Sequence, residues 1–290
     1  MATIPLRHNA GALGLSTTAL PLVRDLIEER TGVWFDDRKL AMLADKVSEL
    51  VAALDLTSFL DYYYLLRYDE AAPRHWNDLM DQLAVPETYF WRQHDQFDAL
   101  ARVVAPAHFA RWPDRPLRIW SAACCTGEEP LSILIALSEA GQLGPGRVEL
   151  IASDASCAML ERAREGVYRA RSFRQMPDAL RQKYFCPEGS EAWRVQECLT
   201  RFVTWRQANL ANAAEWSELA SADAIFCRNV FIYFSDDAIR RVASQLHHHM
   251  PDDGHLFLGA SESLTRFGLG FQLREIGRSF VYVKAPQRQG

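Results

Sequence analysis

The second part of the chain alternates between short apolar strands and helical segments, and this alternation restricts the fold more than any other feature of the sequence. Beyond Pro113, the predicted strands are residues 117–123, 148–154, 202–205, 222–227 and 255–259. Strands that alternate with helices predict a mostly parallel sheet with helices on both faces. The chain ends differently, because residues 271–273 and 279–284 flank Gly277 and have the pattern of a hairpin. We therefore predict an α/β sheet with an antiparallel hairpin at its edge.

The first part of the chain has a helical pattern instead. From about residue 16 to residue 85 apolar residues recur at helical spacing. The clearest series is Leu40, Leu43, Val47, Leu50, Val51 and Leu54. We predict an all-α domain over residues 1–85 and an α/β domain over residues 86–290, with a small β-subdomain near residues 186–204.

Composition and charge exclude several classes of protein. The 290 residues include 32 Lys and Arg against 37 Asp and Glu, a formal net charge of −5. This acidic balance argues against a protein that coats nucleic acid or anionic lipid. No segment approaches the roughly 18 consecutive apolar residues of a membrane helix, and the first 20 residues lack the pattern of a signal peptide. We expect a cytoplasmic protein.

Neither the cysteines nor the histidines have the spacing of a metal site. The six cysteines include no CxxC pair, which indicates reduced thiols rather than a disulfide framework. Adjacent helical residues point about 100° apart, so His247, His248 and His249 cannot face one metal together. They fit the end of a helix instead, where positive charge suits the helix dipole. We expect no metal cofactor.

The carboxyl ends of the strands should hold the ligand, as in other open α/β sheets. The first predicted strand leads into residues 121–130 (SAACCTGEEP), where Gly127 is the only glycine. A dinucleotide phosphate loop is therefore poorly supported. Thr126 and Glu129 have the spacing of a helix capping box. Alternatively, Glu129 contacts a positively charged or amino group of a ligand.

Two further strand ends have polar residues. Asp154 ends the second strand and fits either the ribose hydroxyls of a nucleoside or the N-cap of the next helix. Arg228 and Asn229 end the fourth strand beside apolar residues, so both need hydrogen-bond partners. Tyr233 follows in an apolar context typical of core packing. Together these residues indicate a nucleoside with an amino-acid-like cation rather than NAD.

Several segments resemble the signature blocks of the CheR-type chemotaxis receptor methyltransferases. They are residues 87–92 (ETYFWR), 121–130, 154–168 (DASCAMLERAREGVY), 225–234 (IFCRNVFIYF) and 256–264 (LFLGASESL), which run in family order. The resemblance implies a Rossmann-like methyltransferase sheet preceded by an all-α receptor-recognition domain. It further implies a protein-glutamate O-methyltransferase that uses S-adenosylmethionine. Such enzymes form glutamyl methyl esters on chemoreceptors and release S-adenosylhomocysteine.

The resemblance also implies roles for individual residues. The cofactor-binding residues would be Thr88, Arg92, Glu129, Asp154, Asn209, Leu210, Arg228, Asn229 and Val230, and the catalytic residues Arg92 and Tyr233. Glu129 would contact the methionine amino group and Asp154 the ribose. The chain departs from the family at three positions. Pro86 stands where the family often has Asn, and Cys125 and Ala260 stand where it often has Ser and His.

The resemblance implies that the partner is the cytoplasmic helices of methyl-accepting chemotaxis receptors. The protein would associate with the membrane only through the receptor. We expect a monomer and no nucleic-acid partner. The family usually meets acidic receptor helices with basic residues of its helical domain. Here residues 1–87 hold 8 Lys and Arg against 14 Asp and Glu, whereas residues 88–290 hold 24 against 23. Either a local basic face survives in the helical domain, or the receptor differs in surface charge.

Two alternatives remain at the level of the sequence. One is a methyltransferase that acts on a small molecule or on RNA, although the acidic balance disfavours RNA. The other is a non-catalytic interaction module that senses a cofactor or nucleotide, because binding residues alone do not prove turnover.

Overall fold

The structure is a computed structural model that describes residues 15–285. The chain divides into two compact units. The first comprises the chain up to Val85 together with Tyr233–Ala238, and the second comprises Pro86–Ile232 and the chain from Ile239 onwards. Within the described residues, no helix combines the length and the apolar character that crossing a membrane requires.

The first unit is helical, as predicted. Its helices are α1 (Leu20–Thr31), α2 (Leu40–Ala53), α3 (Phe59–Tyr68) and α4 (Ala72–Leu83). The predicted stripe of α2 faces the core, where Leu43, Val47 and Val51 have no exposed surface. Ser58 caps α3, since its hydroxyl accepts a hydrogen bond from the backbone N–H of Asp61 at 3.1 Å. Helical periodicity and a capping hydroxyl thus account for the main elements of this unit.

A segment distant in sequence completes the helical unit. Phe234 forms an antiparallel bridge with Val33, and the N–H of Trp34 donates to the carbonyl of Tyr233 at 2.8 Å. Gly32 ends α1 with a φ of +74°, and a Cβ there would lie 3.0 Å from the ring of Phe234. Glycine is therefore required at this position for both its conformation and its size.

The second unit contains the predicted α/β sheet. Its seven strands are β1 (Leu117–Ala122), β2 (Val148–Asp154), β6 (Val203–Gln207), β7 (Ala224–Cys227), β8 (His255–Phe257), β9 (Phe271–Ile276) and β10 (Ser279–Lys284). Their order is β6-β2-β1-β7-β8-β10-β9. The first five are parallel, and β10 pairs antiparallel with both β8 and β9. Each predicted strand and the edge hairpin are therefore confirmed, with ends shifted by up to two residues or, in the hairpin, three.

The helices connect the strands in the manner of a doubly wound sheet. They are α5 (His94–Ala99), α6 (Ala105–Arg111), α7 (Glu128–Glu139), α8 (Cys157–Glu165), α9 (Asp178–Tyr184), α10 (Glu197–Thr200) and α11 (Asp236–His249), and a π-helical turn at Leu100–Val104 joins α5 to α6. The prediction that the histidine triplet ends a helix is confirmed, because α11 ends at His249.

A second, three-stranded antiparallel sheet has the order β3-β5-β4, from β3 (Val167–Arg169), β4 (Phe185–Glu188) and β5 (Ala192–Val195). Two of these strands, β4 and β5, lie in the region of the small β-subdomain predicted near residues 186–204, and the observed bounds differ at both ends. Its first strand comes from residues 167–169, and residues 203–204 belong to β6 of the main sheet. A strand of three residues is too short to show an alternating pattern, which is why the sequence does not reveal β3.

Candidate active site

The turn between β1 and α7 has an unusual backbone. Ala123, Cys125 and Gly127 have φ values of +56°, +52° and +91°. A Cβ at Gly127 would lie 2.9 Å from Cη2 of Trp205 and 3.0 Å from the Cβ of Ala163, so the turn is packed tightly against its neighbours. Positive φ at residues other than glycine costs free energy, and such strain concentrates at functional sites.

The capping-box alternative for this turn is wrong. Gly127 is the N-cap of α7, and no side chain caps the helix. The hydroxyl of Thr126 instead donates to Oε2 of Glu128 at 2.6 Å. The left-handed φ of Gly127 separates Thr126 from the helix start, so the two residues with capping-box spacing do not meet across the first turn.

Glu129 lies in the first turn of α7, and its side chain, which retains 15% of its accessible surface, reaches the carboxyl end of β1. The hydroxyl of Ser121 donates to its Oε1 at 2.7 Å, and Nη1 of Arg228 lies 3.3 Å from its Oε2. Burial raises the pKa of Glu129, and the neighbouring Arg228, the Ser121 hydrogen bond and Arg92 oppose this rise. The site thus holds a carboxyl group that is readily stabilised as an anion by an additional positive charge.

Arg228, at the carboxyl end of β7, connects this carboxyl group to the segment of residues 87–93, which we call the strap. Its Nη2 donates to the backbone carbonyl of Arg92 at 2.5 Å and to Oε1 of Gln93 at 3.2 Å. The guanidinium also lies 5.0 Å from the ring centroid of Phe97. These contacts satisfy Nη2 of Arg228 at its buried strand end, whereas Nε has no hydrogen-bond partner among the described residues.

Asp154 ends β2 and is held by backbone donors. Its Oδ2 accepts from the N–H of Cys125 and its Oδ1 from the N–H of Ser156, both at 2.9 Å. The alternative that Asp154 caps the next helix is wrong, because Ser156 is the N-cap of α8 and accepts from the N–H of Met159. Backbone donors from the turn after β1 and from the start of α8 thus fix the orientation of the Asp154 carboxylate.

Asn209 and Leu210 follow β6, the strand that pairs with β2, just beyond its carboxyl end. The N–H of Ala208 donates to the carbonyl of Asp154 at 3.0 Å. The side chain of Asn209 accepts from the N–H of Ala211 at 2.9 Å, and buried Leu210 presents its carbonyl to Nε1 of Trp216 at 3.1 Å. These two residues are therefore fixed by local hydrogen bonds at the edge of the sheet.

Asn229 has a φ of +59° and begins the turn after β7. Its N–H and the N–H of Gly259 both donate to Oε2 of Glu262, each at 2.7 Å. A Cβ at Gly259 would lie 2.6 Å from Nδ2 of Asn229 and 2.7 Å from Oε2 of Glu262, so any other residue would displace these two side chains. The next residue, Val230, is half-buried.

Glu262 and Gly259 were not among the predicted site residues. Both belong to the segment 256–264 that carries part of the resemblance, so a signal was present in the sequence. Periodicity alone does not indicate them, because Glu262 reaches the site from a loop after β8.

The strap carries the predicted residues Thr88 and Arg92. Nη1 of Arg92 donates to the carbonyl of Glu87 at 2.8 Å, and its guanidinium lies 5.5 Å from the ring centroid of Tyr89. Thr88 is half-buried. The structure thus brings Arg92 to Arg228 and Glu129, from three separate parts of the sequence.

Tyr233 lies in the part of the chain that belongs to the helical unit. It ends a 3-10 turn, Phe231–Tyr233, and is half-buried rather than part of the core. Core packing, the interpretation that its apolar context favoured, therefore does not describe this side chain.

The residues at the strand ends fit a nucleoside that carries both an amino and a carboxylate group. Within residues 15–285, Nε of Arg228 and Oε1 of Glu262 are buried polar atoms without a hydrogen-bond partner. Such an unpaired donor and acceptor at one sheet edge are suited to a zwitterionic group. Asp154 ends β2, the strand next to β1, with a carboxylate, the group that commonly accepts from ribose hydroxyls in α/β folds.

Comparisons with known proteins agree with this geometry. The family model for the CheR methyltransferase, SAM binding domain, matches residues 86–279, and that for the CheR methyltransferase, all-alpha domain, matches residues 18–84. These matches define the chain as an S-adenosylmethionine-dependent methyltransferase with S-adenosylmethionine as its cofactor. The chain belongs to the CheR methyltransferase family.

Curated relatives match over most of their length. Chemotaxis protein methyltransferase 2 of Pseudomonas aeruginosa is 37% identical over 268 residues, which cover 91% of each chain. Chemotaxis protein methyltransferase 2 of Vibrio cholerae is 32% identical over 90% of this chain and 91% of the relative. The chemotaxis protein methyltransferase of Escherichia coli is 32% identical over 90% of each.

Similarity to solved structures is weaker. The crystal structure of magnesium protoporphyrin IX methyltransferase from Synechocystis with bound SAM has 16% identity and a TM-score of 0.35, over 66% of this chain and 81% of that chain. A similarity this weak does not indicate function.

Proposed function

We propose that this protein transfers a methyl group from S-adenosylmethionine to glutamate side-chain carboxylates of methyl-accepting chemotaxis receptors. The product is a glutamyl methyl ester, and the biological role is sensory adaptation. The observation that carries the proposal is the convergence of Arg92, Glu129 and Arg228 at one edge of the sheet. The relatives named chemotaxis protein methyltransferase support the choice of substrate.

The proposed roles of the cofactor-binding residues follow from their chemistry. Glu129 attracts the methionine amino group, because a buried carboxylate is stabilised by an added positive charge. Asp154 accepts from the ribose hydroxyls, and Asn209 with Leu210 lies near the adenine. Thr88 belongs to the strap beside the cofactor. Arg228, Asn229 and Val230 form the floor beneath it.

The acceptor needs no general base. A glutamate is already ionised at pH 7, because its reference pKa is about 4.3. When bound, S-adenosylmethionine supplies an electrophilic methyl group, and its S–C bond breaks as the new O–C bond forms. The chain's own task is to align the acceptor and exclude water, and alignment of this kind supplies ~7–11 kcal/mol.

The proposed catalytic residues orient the acceptor rather than neutralise it. Opposite charges cancel as the methyl group moves, so a cation held tightly against the acceptor would stabilise the ground state more than the transition state. Arg92 already donates to the carbonyl of Glu87, which leaves part of its guanidinium for a substrate carboxylate. Tyr233 contributes a neutral hydroxyl that positions the carboxylate.

The proposal is tested by incubating the protein with methyl-labelled S-adenosylmethionine and chemoreceptor-containing membranes. We expect label in the receptor that mild base releases as methanol, because esters are base-labile and N-methyl groups are not. Membranes without receptors serve as the control. Base-stable label, or labelling of small molecules instead of the receptor, would contradict the proposal.

A further inference from the structure

Residues 169–174, which we call the arginine loop, form an exposed basic surface beside the strap. Arg169, Arg171 and Arg174 are all exposed, and the side chain of Arg171 retains 73% of its accessible surface. From residue 166 to residue 177 the chain has these three arginines and no acidic residue. The six-residue length of the loop keeps the three charges close together.

The arginine loop is joined directly to the strap that carries Arg92. Glu87 pairs with both Arg171 and Arg174, at 2.6 Å and 2.7 Å. The guanidinium of Arg174 lies 3.7 Å from the ring centroid of Tyr89, which Arg92 also approaches. A ligand bound to the arginine loop would therefore lie next to the strap that carries Arg92, the predicted catalytic residue.

The acidic groups near this surface do not neutralise it. One carboxylate, Glu87, is shared by two arginines, and a second, Glu128, is buried beneath the loop and accepts from Ser172 at 2.9 Å. Arg92, Arg169, Arg171 and Arg174 thus outnumber Glu87 and Glu128, the two glutamates that form hydrogen bonds or ion pairs with the arginine loop. Among the described residues, Arg169 forms no ion pair at all.

The helical unit has less unpaired positive charge to offer an acidic partner. Residues 15–85 include 7 Lys and Arg against 13 Asp and Glu. Arg24 is held by Asp25 and Asp37, and Arg67 is held by Glu29. The positive charges of the helical unit are thus outnumbered by its acidic residues, and Arg24 and Arg67 already form ion pairs.

We propose that the arginine loop is a docking surface for an acidic protein segment that flanks the methylated glutamate. This inference rests on the proposed function, since it concerns how that substrate is held. A segment rich in glutamate offers several carboxylates, and the arginines of the loop have fewer carboxylate partners than positive charges. Such complementarity of charge mainly accelerates encounter and sets specificity. It would answer the question raised by the acidic helical domain, because the basic face would lie on the methyltransferase unit instead.

A membrane or a nucleic acid is less well matched. Residues 88–290 hold 24 Lys and Arg against 23 Asp and Glu, so the basic surface is local and the remainder of this part of the chain is not basic. A local cluster beside Arg92 suits a substrate whose reacting carboxylate and flanking carboxylates lie a short distance apart.

The test uses the full chain with R169E/R171E, which leaves the Glu87–Arg174 pair in place. R169K/R171K retains the charge. The matched control R274E/R278E makes the same change of charge on the β9–β10 hairpin of the seven-stranded sheet, whereas the arginine loop begins in β3 of the three-stranded sheet. Methyl ester formation on chemoreceptor membranes is measured against receptor concentration and against NaCl, together with sedimentation on receptor membranes and on receptor-free vesicles of anionic phospholipid.

We expect R169E/R171E to raise the KM for the receptor by about tenfold at low salt, with a much smaller change in kcat and a weaker dependence on NaCl. R169K/R171K and R274E/R278E should behave like the wild type. Affinity for S-adenosylmethionine and the thermal midpoint should be the same in all four proteins, which separates docking from a folding defect.

An unchanged KM and salt dependence in R169E/R171E would overturn the docking proposal while leaving the proposed function intact. So would loss of binding to the lipid vesicles alone, since that outcome assigns the loop to a membrane. If the wild type fails to methylate receptors, the proposed function fails. Sedimentation then still decides docking, because equal sedimentation of R169E/R171E and wild type on receptor membranes contradicts it.

Discussion

Oε2 of Glu129 lies 3.3 Å from Nη1 of Arg228, and the side chain of Arg228 is only 2% exposed. This ion pair joins the first turn of α7, which follows β1, to the end of β7. The strands β1 and β7 are neighbours in the sheet but about a hundred residues apart in the chain. Burial raises the pKa of Glu129 above its ordinary value of 4.5. The carboxyl group is thus poised to respond to charge in the site.

The raised pKa of Glu129 predicts a pH dependence of stability. Between 4.5 and the raised pKa, the folded chain binds more protons than the unfolded chain, so this group's contribution to stability falls as pH rises through that interval. We expect E129Q to lack this decline. Urea unfolding of both proteins across the interval, without added S-adenosylmethionine, measures the difference.

A control of opposite sign is available. Lys183 lowers the pKa of Glu139, so Glu139 contributes stability that is lost as pH falls. The wild type should therefore lose stability relative to E139Q as pH falls below 4.5, so this pair of proteins is also unfolded with urea below that pH. Two curves parallel to the wild type would contradict the assignment of both carboxyl groups.

Substitution of Arg92 tests the proposed orientation of the acceptor. R92A should lower kcat for methyl transfer by roughly 10²-fold, a typical loss when a positioning group is removed. R102A is a suitable control, since Arg102 is an exposed arginine that forms an ion pair with Asp98. Turnover of R92A equal to that of R102A would remove Arg92 from the site, provided that circular dichroism shows both proteins folded.

Asp154 and Ser156 separate cofactor binding from helix capping. D154A should weaken binding of S-adenosylmethionine by roughly 10- to 100-fold, because a charged acceptor is lost. S156A removes the N-cap of α8 and should lower the free energy of unfolding by about 1 kcal/mol with a smaller effect on affinity. Titration calorimetry that shows equal affinities for D154A and S156A would leave Asp154 with a structural role only.

Gly127 tests the packing of the turn after β1. G127A would place a Cβ 2.9 Å from Trp205 at a φ of +91° and should destabilise the protein by roughly 1–3 kcal/mol. Gly141 has a φ of +68° with no atom within 4 Å of a Cβ. G141A should therefore lower the free energy of unfolding by less than G127A. Equal thermal midpoints for the two variants would show that the turn after β1 accommodates a methyl group without loss of stability.

The cysteines should differ in reactivity. Burial raises the pKa of Cys125 to about 12 and that of Cys124 as well, so both hold little thiolate at neutral pH. Cys186 and Cys198 are exposed. Alkylation by iodoacetamide followed by peptide mass mapping should find the exposed pair modified first. Rapid labelling of Cys125 would mean that the turn after β1 opens in solution.

Much of the fold follows from local patterns. The alternation of apolar strands and helices predicts the sheet, because strands buried on both faces must be continuously apolar. Local patterns do not predict β3, because a strand of three residues is too short to show a hydrophobic alternation. They also fail for the segment Tyr233–Ala238, whose place in the helical unit depends on a bridge to Val33.

The site shows a similar division. The residue types at the strand ends are visible in the sequence, because parallel strands present their carboxyl ends at one edge. The choice between capping and ligand contact was open for Glu129 and Asp154 until the backbone was known. The φ of Gly127 removes the capping box, and Ser156 takes the helix cap from Asp154.

The sequence by itself determined the class of fold, the identity of the strand-end residues and the resemblance to one family. Only the tertiary structure decided that Glu129 meets Arg228, that Glu262 enters the site from a loop, and that Glu87 joins the strap to the arginine loop. The physical reason is that periodicity reports which side of its own element a residue faces. Contacts between distant charges depend on how loops are packed, and no local pattern encodes that.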